Sequence, residues 1–242
     1  LIMALPKLNV PVYETILPST EKVIKYRPFL VKEEKILLTA LEDETGNSMT
    51  NAVKQIISNC IQTELDVEKL PTFDIEYLFL RLRAKSIGEE VDIGLKPYPC
   101  SRNEGNLCEK VTEVKINLEE VKVSKDETHT NKIMLDDKVG IVMNYPNSSS
   151  FDNTEGNDFD VGMNVIKNSI KMIFTEEQTY EKDSFTNEDL NEFIDSLNSS
   201  QFQKMRGFFD TMPKLSHTVK YTCSTCGEEK ETTLEGLTSF FG

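Results

Sequence analysis

Apolar residues recur at helical spacing in three blocks of the first third of the chain. Val31 to Glu42 places Ile36, Leu37, Leu38 and Leu41 on one side, with Glu33 and Glu34 in the first turn, where they complement the helix dipole. Gly46-Asn47 breaks the pattern, and Met49 to Ile61 then carries Val53, Ile56, Ile57 and Cys60 at i, i+3, i+4 and i+7. Pro71-Thr72 precedes Phe73 to Ser86, whose face of Ile75, Leu78, Phe79 and Leu82 is widened by Tyr77 and Leu80. A face that broad predicts a deeply buried helix at the centre of the N-terminal part. Upstream, Pro6, Pro11 and Pro18 interrupt an extended arm. Glu21 to Arg27 alternates like an edge strand and can pair with Tyr13 to Leu17 around Pro18-Ser19-Thr20. Residues 1–30 are therefore expected to be an arm and hairpin, and 31–86 helical.

The period then shortens. Val111, Ile116, Leu118, Val121 and Val123 suit strands, and Lys132 to Leu135 and Val139 to Met143 flank an Asp136-Asp137 turn, so 87–145 reads as a β region. Residues 146–158 are rich in Ser, Asn, Asp and Gly and predict a flexible loop dividing the chain. Asp152, Asp158 and Asp160 lack the ligand spacing of a calcium loop.

Helical spacing returns over 159–213. One helix is expected from Asp160 to Phe174, with Val165, Ile166, Ile170, Ile173 and Phe174 inward. Thr175 to Lys182 is a polar connector. Thr186 and Asp189 form a capping-box pattern ahead of Leu190, Phe193, Ile194 and Leu197. Ser199 or Ser200 caps a last helix with Phe202, Met205, Phe209 and Met212, ended by Pro213. Its Met205 and Phe208-Phe209 could face a partner, but an internal core is the commoner use. Residues 214–242 hold a strand from Leu215 to Thr222, a cysteine knuckle and an apolar tail, expected to pack on 87–145. Such a tail must dock on its own domain or on a neighbour. The expected class is α+β, with helical N-terminal and C-terminal parts around a small β region bearing a zinc-ribbon-like cysteine cluster.

That cluster is the main candidate chemistry. Tyr221-Thr-Cys-Ser-Thr-Cys-Gly contains a Cys-x-x-Cys knuckle at Cys223 and Cys226, followed by a glycine that tolerates φ > 0. Cys100 and Cys108 are a second pair, and each pair leads into a strand-like run. Together Cys100, Cys108, Cys223 and Cys226 could hold one structural zinc ion, in a closed four-thiolate site with no position for a catalytic water. The seven residues between Cys100 and Cys108 exceed the spacing of a tight knuckle. A disulfide, free thiols or a metal-free degenerate site remain alternatives. A redox use is disfavoured, because strand-like segments flank the motif on both sides. Cys60 belongs to a helix face and is read as core. His129 is read as solvated in a polar connector, and His217 as an edge-strand surface residue rather than a substitute ligand.

Charge narrows the function. The 242 residues suffice for one large domain or two small ones. Asp and Glu outnumber Lys and Arg 41 to 27, giving a net charge of −14 that repels phosphate backbones. No apolar run reaches the roughly 18 residues of a membrane span. No signal-peptide pattern is visible, and Met3 is the expected natural start. An odd cysteine count of 5 argues against a secreted disulfide framework and for a reducing cytoplasm. Asn147-Ser148-Ser149 and Asn198-Ser199-Ser200 are then polar loops, not glycosylation sites. Phosphate-loop, nucleophile-elbow and metalloprotease helix motifs are absent. These observations favour a scaffold or adaptor over an enzyme.

Several segments carry a family resemblance: Met3-Ala-Leu-Pro-Lys-Leu-Asn, Tyr26-Arg-Pro-Phe-Leu-Val-Lys-Glu-Glu-Lys-Ile-Leu-Leu and Asn51-Ala-Val-Lys-Gln-Ile-Ile-Ser-Asn-Cys. Leu70 to Ser86, Gly140-Ile-Val-Met-Asn-Tyr-Pro, His217-Thr-Val-Lys-Tyr with its knuckle, and Leu234-Glu-Gly-Leu-Thr-Ser-Phe-Phe continue it in order. In these segments the chain resembles the baseplate hub proteins of T4-like bacteriophages, a family that includes a hub subunit and a hub assembly protein. The resemblance implies a structural or morphogenetic role without enzymatic activity. It implies other phage baseplate hub proteins as partners, and a location in the virion tail baseplate or, during assembly, in the host cytoplasm. It does not separate a stable hub component from an assembly factor that leaves. The alternative reading is a cytoplasmic zinc-ribbon adaptor for nucleic acid or transcription machinery, which lacks the expected basic stripe. A metalloenzyme lacks a ligand set.

Overall fold

The structure, a computed structural model, describes residues 8–42, 46–95, 108, 110–151 and 157–240. The chain forms two compact units. Leu1–Val67, Phe73–Val123 and Leu215–Gly242 make unit 1, and Glu68–Thr72 and Ser124–Lys214 make unit 2, which contains the 146–158 stretch. No described helix is long and apolar enough to cross a membrane.

Unit 1 begins with the expected hairpin. Strands β1 (Tyr13–Ile16) and β2 (Val23–Tyr26) pair antiparallel, from Tyr13 opposite Tyr26 to Ile16 opposite Val23. The turn between them is anchored on the interior. Ser19 donates from its backbone N–H (3.1 Å) and its hydroxyl to the fully buried carboxylate of Asp74. Burial pushes the Asp74 carboxyl up, and the two Ser19 bonds oppose that.

Helix α1 (Val31–Glu42) is rolled away from the orientation its apolar pattern suggests. Leu38 and Leu41, expected to face inward, are 54% and 62% exposed. The inward line is Glu33 and Ala40, with Ile36 and Leu37 half-buried between them. The cause lies at the helix start. Arg27 grips the completely buried Glu33 with two N–H donors at 3.0 and 3.3 Å, and the Leu30 N–H donates to the same carboxylate at 2.9 Å. Burial opposes the charge, but these donors hold the Glu33 carboxyl below its ordinary range. A charged pair fixed this way sets the roll of the helix against its weaker hydrophobic preference.

Helix α2 (Gly46–Cys60) starts three residues before the expected Met49 and buries Val53, Ile56, Ile57 and Cys60 as the spacing predicted. Helix α3 (Thr72–Ser86) is buried on nearly every side, including Arg81, which donates to the carbonyls of Leu118 (3.1 Å) and Val121 (2.6 Å). Strands β3 (Glu90–Leu95) and β4 (Thr112–Asn117) pair antiparallel from Glu90 opposite Asn117 to Leu95 opposite Thr112. A second sheet runs in the order β11-β10-β5, from Glu229–Glu235, Lys214–Thr222 and Lys122–Ser124. Leu80, Ile93, Leu95, Ile116, Leu118, Leu215, Val219 and Phe240 share one core. The apolar tail therefore docks within its own unit: Phe240 is fully buried, and the Leu237 N–H donates to Glu76 at 3.2 Å.

Unit 2 is a four-stranded antiparallel sheet, β6 (Lys132–Met134), β7 (Gly140–Met143), β8 (Ile170–Phe174) and β9 (Thr179–Glu181), in sequence order. Three helices accompany it: α4 (Asp158–Ser169), α5 (Asn187–Asp195) and α6 (Ser199–Thr211). The single helix expected over Asp160–Phe174 is corrected here, because it ends at Ser169 and Ile170–Phe174 is a strand. On paper Ile170, Ile173 and Phe174 follow the helical period, whereas a strand puts Ile173 on the face opposite Ile170 and Phe174. Pairing with β7 on one edge and β9 on the other gives this segment ladder bonds on both sides, which a longer helix would forfeit. Gly140 opposite Phe174 is required by space, since a Cβ there would sit 2.2 Å from the Phe174 ring. The polar connector Thr175–Lys182 accordingly contains β9.

Thr186 and Asp189 form the predicted capping box, while the cap of α6 is Asn198 with Gln201, one residue before the expected serines. Met205 and Phe208 are core, together with Ile141, Met143, Ile170, Ile173, Leu190 and Ile194. His129 is not the solvated side chain expected. Its ring stacks on Tyr145 at 5.5 Å and lies 5.0 Å from Phe208, and Nδ1 is 2.9 Å from the Thr211 hydroxyl. Burial lowers its pKa. Residues 152–156 of the expected loop lie outside the described residues, and Ser148–Phe151 forms a 3-10 turn.

Candidate metal centre

The knuckle closes the β10–β11 hairpin. The strands pair from Ser216 opposite Glu235 to Thr222 opposite Glu229, leaving Cys223 to Glu228 as the connection. The Cys223 N–H donates to the Glu228 carbonyl and the Gly227 N–H to the Cys223 carbonyl, each at 2.9 Å. Gly227 adopts φ +70°, the left-handed conformation its position in the motif suggested. This fold of the turn aims backbone donors at sulfur. The N–H groups of Cys226 and Thr225 both point at the Cys223 thiol, which they and the neighbouring Cys108 and Cys226 thiols lower to about 6. A group with that pKa is largely thiolate at neutral pH, the form that binds metal.

Cys108 comes from the chain just before β4 and is buried, as is Cys223, while Cys226 is half-buried. The sulfur atoms of Cys108, Cys223 and Cys226 all lie within 4.8 Å of one another. Zinc–sulfur bonds of about 2.3 Å in a tetrahedron separate sulfurs by roughly 3.8 Å. A contraction of about 1 Å at most therefore brings all three into ligand positions. A disulfide would join two of them at about 2.05 Å and strand the third. Among the described residues this is the one convergent group of potential ligand atoms, and all of its donors are sulfur. Soft thiolates select zinc and similar soft ions over calcium or magnesium.

Polar side chains hold the two halves together independently of any ion. The Ser224 N–H donates to the Thr112 hydroxyl at 3.0 Å, and that hydroxyl donates to the Ser224 oxygen at 3.1 Å. Ser224 also donates to the Val111 carbonyl at 3.4 Å, and the Lys110 N–H to Thr225 at 3.4 Å. The sequence reading did not find Thr112, Ser224 or Thr225. Hydroxyls directly beside each cysteine element were the available signal.

Of the proposed ligands, Cys100 lies outside the described residues. Cys60 is core, as expected, with its thiol pushed up to about 11 by burial. His217 pairs across the hairpin with Leu234 and is not among the clustered ligands.

The chain matches the family described as T4 bacteriophage base plate protein over residues 10–242. It belongs to that family. No curated protein and no solved structure gives a match. The matched stretch of this baseplate protein includes the described parts of both units from residue 10 onward and all three clustered cysteines. It is thus a phage baseplate structural protein, with other baseplate proteins as its partners and the virion tail baseplate as its place. Nothing in these matches supports the nucleic-acid adaptor.

Proposed function

We propose that this baseplate protein builds or helps assemble the central hub of the tail baseplate, acting through protein–protein contacts in tail morphogenesis. The observation that carries this reading is the family match over residues 10–242, joined to the hub-like segments from Met3 to Phe241. Its role is structural, without catalysis. Its partners are other hub proteins, met in the virion baseplate, in the host cytoplasm during assembly, or in both. One structural zinc ion, held by Cys108, Cys223 and Cys226 with Cys100 as fourth ligand, belongs to the same reading. The convergence of three thiols on a glycine-ended knuckle supports it.

Co-expression with each hub protein of the same phage, followed by size exclusion with mass detection, tests the hub role. A defined complex that survives the column is expected. A lone monomer with every hub protein would overturn stable incorporation. Elemental analysis of the purified chain tests the zinc, with about one ion per chain expected.

A further inference from the structure

The clustered thiols come from opposite ends of a long excursion. Cys108 precedes β4, whereas Cys223 and Cys226 follow β10. Between Val123 and Leu215 the chain leaves unit 1 and makes unit 2. Unit 1 is complete only once its last segment returns. That segment brings Leu215, Val219 and Phe240 into the core formed by Leu80, Ile93, Leu95 and Ile116. The β5–β10 pairing and the Leu237–Glu76 bond hold the returning segment elsewhere, and among the described residues the ties between the 110–112 stretch and the knuckle include the hydrogen bonds of Thr112, Ser224, Val111, Lys110 and Thr225. Those bonds are part-buried or exposed, so water competes with them.

Unit 2 has a core of its own. Its core residues run from Ile133 to Phe208 and include none from the returning segment. Its sheet joins β6 to β9 in order, and each of its helices carries its own capping box.

We propose that metal bound by Cys108, Cys223 and Cys226 is the clasp that keeps the segment Leu215–Phe240 seated in unit 1. Metal loss then releases that segment locally while unit 2 stays folded. The inference rests on the zinc reading above and adds what the ion controls. Ligand thiolates that are distant in sequence are brought together only in the folded unit, so binding free energy becomes free energy of closure. The ion class is a soft divalent cation, with zinc as the resident and cobalt(II) as a spectroscopic substitute. Release would uncover Ile93, Leu95 and Ile116 along with Leu215, Val219 and Phe240.

The test uses the full chain as purified. Metal content is measured first, then hydrogen–deuterium exchange with and without removal of the ion by EDTA. Chelation should speed exchange in β10 and β11 by roughly tenfold or more and leave β7 and β8 unchanged. Restoring zinc should restore protection. The variant Thr112→Val, which removes hydrogen bonds but no ligand, should keep zinc-dependent protection of the hairpin. A chain that carries the ion but whose hairpin exchanges equally after chelation overturns the clasp and leaves the zinc site standing. Equal loss of protection in both units overturns its locality. A chain that binds neither zinc nor cobalt(II) overturns the zinc reading and the clasp together.

Discussion

The two units reach a packed core by opposite routes. In unit 2 the helix caps and the strand pairing are local, although His129 meets Thr211 across 82 residues and Lys204 donates to the carbonyls of Met134 and Leu135. Each helix opens with a reciprocal box, at Asn157 with Asp160, Thr186 with Asp189 and Asn198 with Gln201. Each strand of its sheet pairs with the next strand along the chain. Unit 1 depends on partners far apart. Asp74 meets Ser19 across 55 residues, Arg81 meets Val121 across 40, Ser224 meets Thr112 across 112, and Leu237 meets Glu76 across 161. Every such contact must offset the entropy of closing its loop before it stabilises anything. Unit 1 therefore concentrates buried polar anchors and clustered thiols where unit 2 uses short-range caps and alternating apolar strands. Local pairing also favours early formation, so unit 2 is expected to fold ahead of unit 1.

Substitutions can break that contrast. Phe240→Ala empties a fully buried site in the returning segment and should cost about 3–5 kcal/mol. Denaturant unfolding followed by exchange in each unit should place that loss in unit 1. An equal loss in β7 and β8 would show that the units are one cooperative body. Glu33→Gln removes a buried charge from its Arg27 partner and should cost about 1.5–3 kcal/mol at neutral pH.

The two buried carboxylates of unit 1 also titrate in opposite senses. Glu33 is held below its ordinary pKa, so its stabilisation is present above the unfolded value and is lost as pH falls through the lower folded one. Asp74 is raised, so the folded state holds its proton more tightly, and stability falls as pH rises from the ordinary carboxylate value through the raised one. Thermal midpoints against pH for the wild type, Glu33→Gln and Asp74→Asn should separate these slopes. A profile unchanged by either substitution would show that neither carboxylate anchors unit 1.

Thr186→Ala deletes a cap in unit 2 and should cost about 1 kcal/mol, read as a lower melting temperature with exchange in β10 unaffected. The smallest effect is expected at Leu38, where alanine should change stability by less than about 0.5 kcal/mol, because the side chain is more than half exposed. A loss of 2 kcal/mol or more there would return α1 to the roll its apolar pattern suggests.

Where the sequence could be read, the signal was local and unopposed. The broad apolar face of α3, the Thr186–Asp189 box and the β6–β7 turn all follow from residues that touch one another. The reading failed where a partner outside the segment's own pattern decided. Ile170 to Phe174 continues a helical stripe until β7 and β9 are available to pair with it. Leu38 and Leu41 belong to an inward face until Glu33 is bound by Arg27, a partner only six residues away that lies outside the helical pattern. His129 has polar neighbours in sequence, and its aromatic cage of Tyr145 and Phe208 is remote. The knuckle was legible because its turn chemistry is contained within Cys223 to Gly227. Its tie to Cys108 could only be suggested, since Thr112 and Ser224 carry no pattern of their own.

The point where the long excursion begins and ends has an architectural consequence. Strands β5 and β10 are neighbours in one sheet, and the Ser124 hydroxyl donates to the Lys214 carbonyl at 3.2 Å. Exit and re-entry thus share a doorway. The ends of the Ser124–Lys214 excursion are side by side in that ladder, so its length can change without moving them.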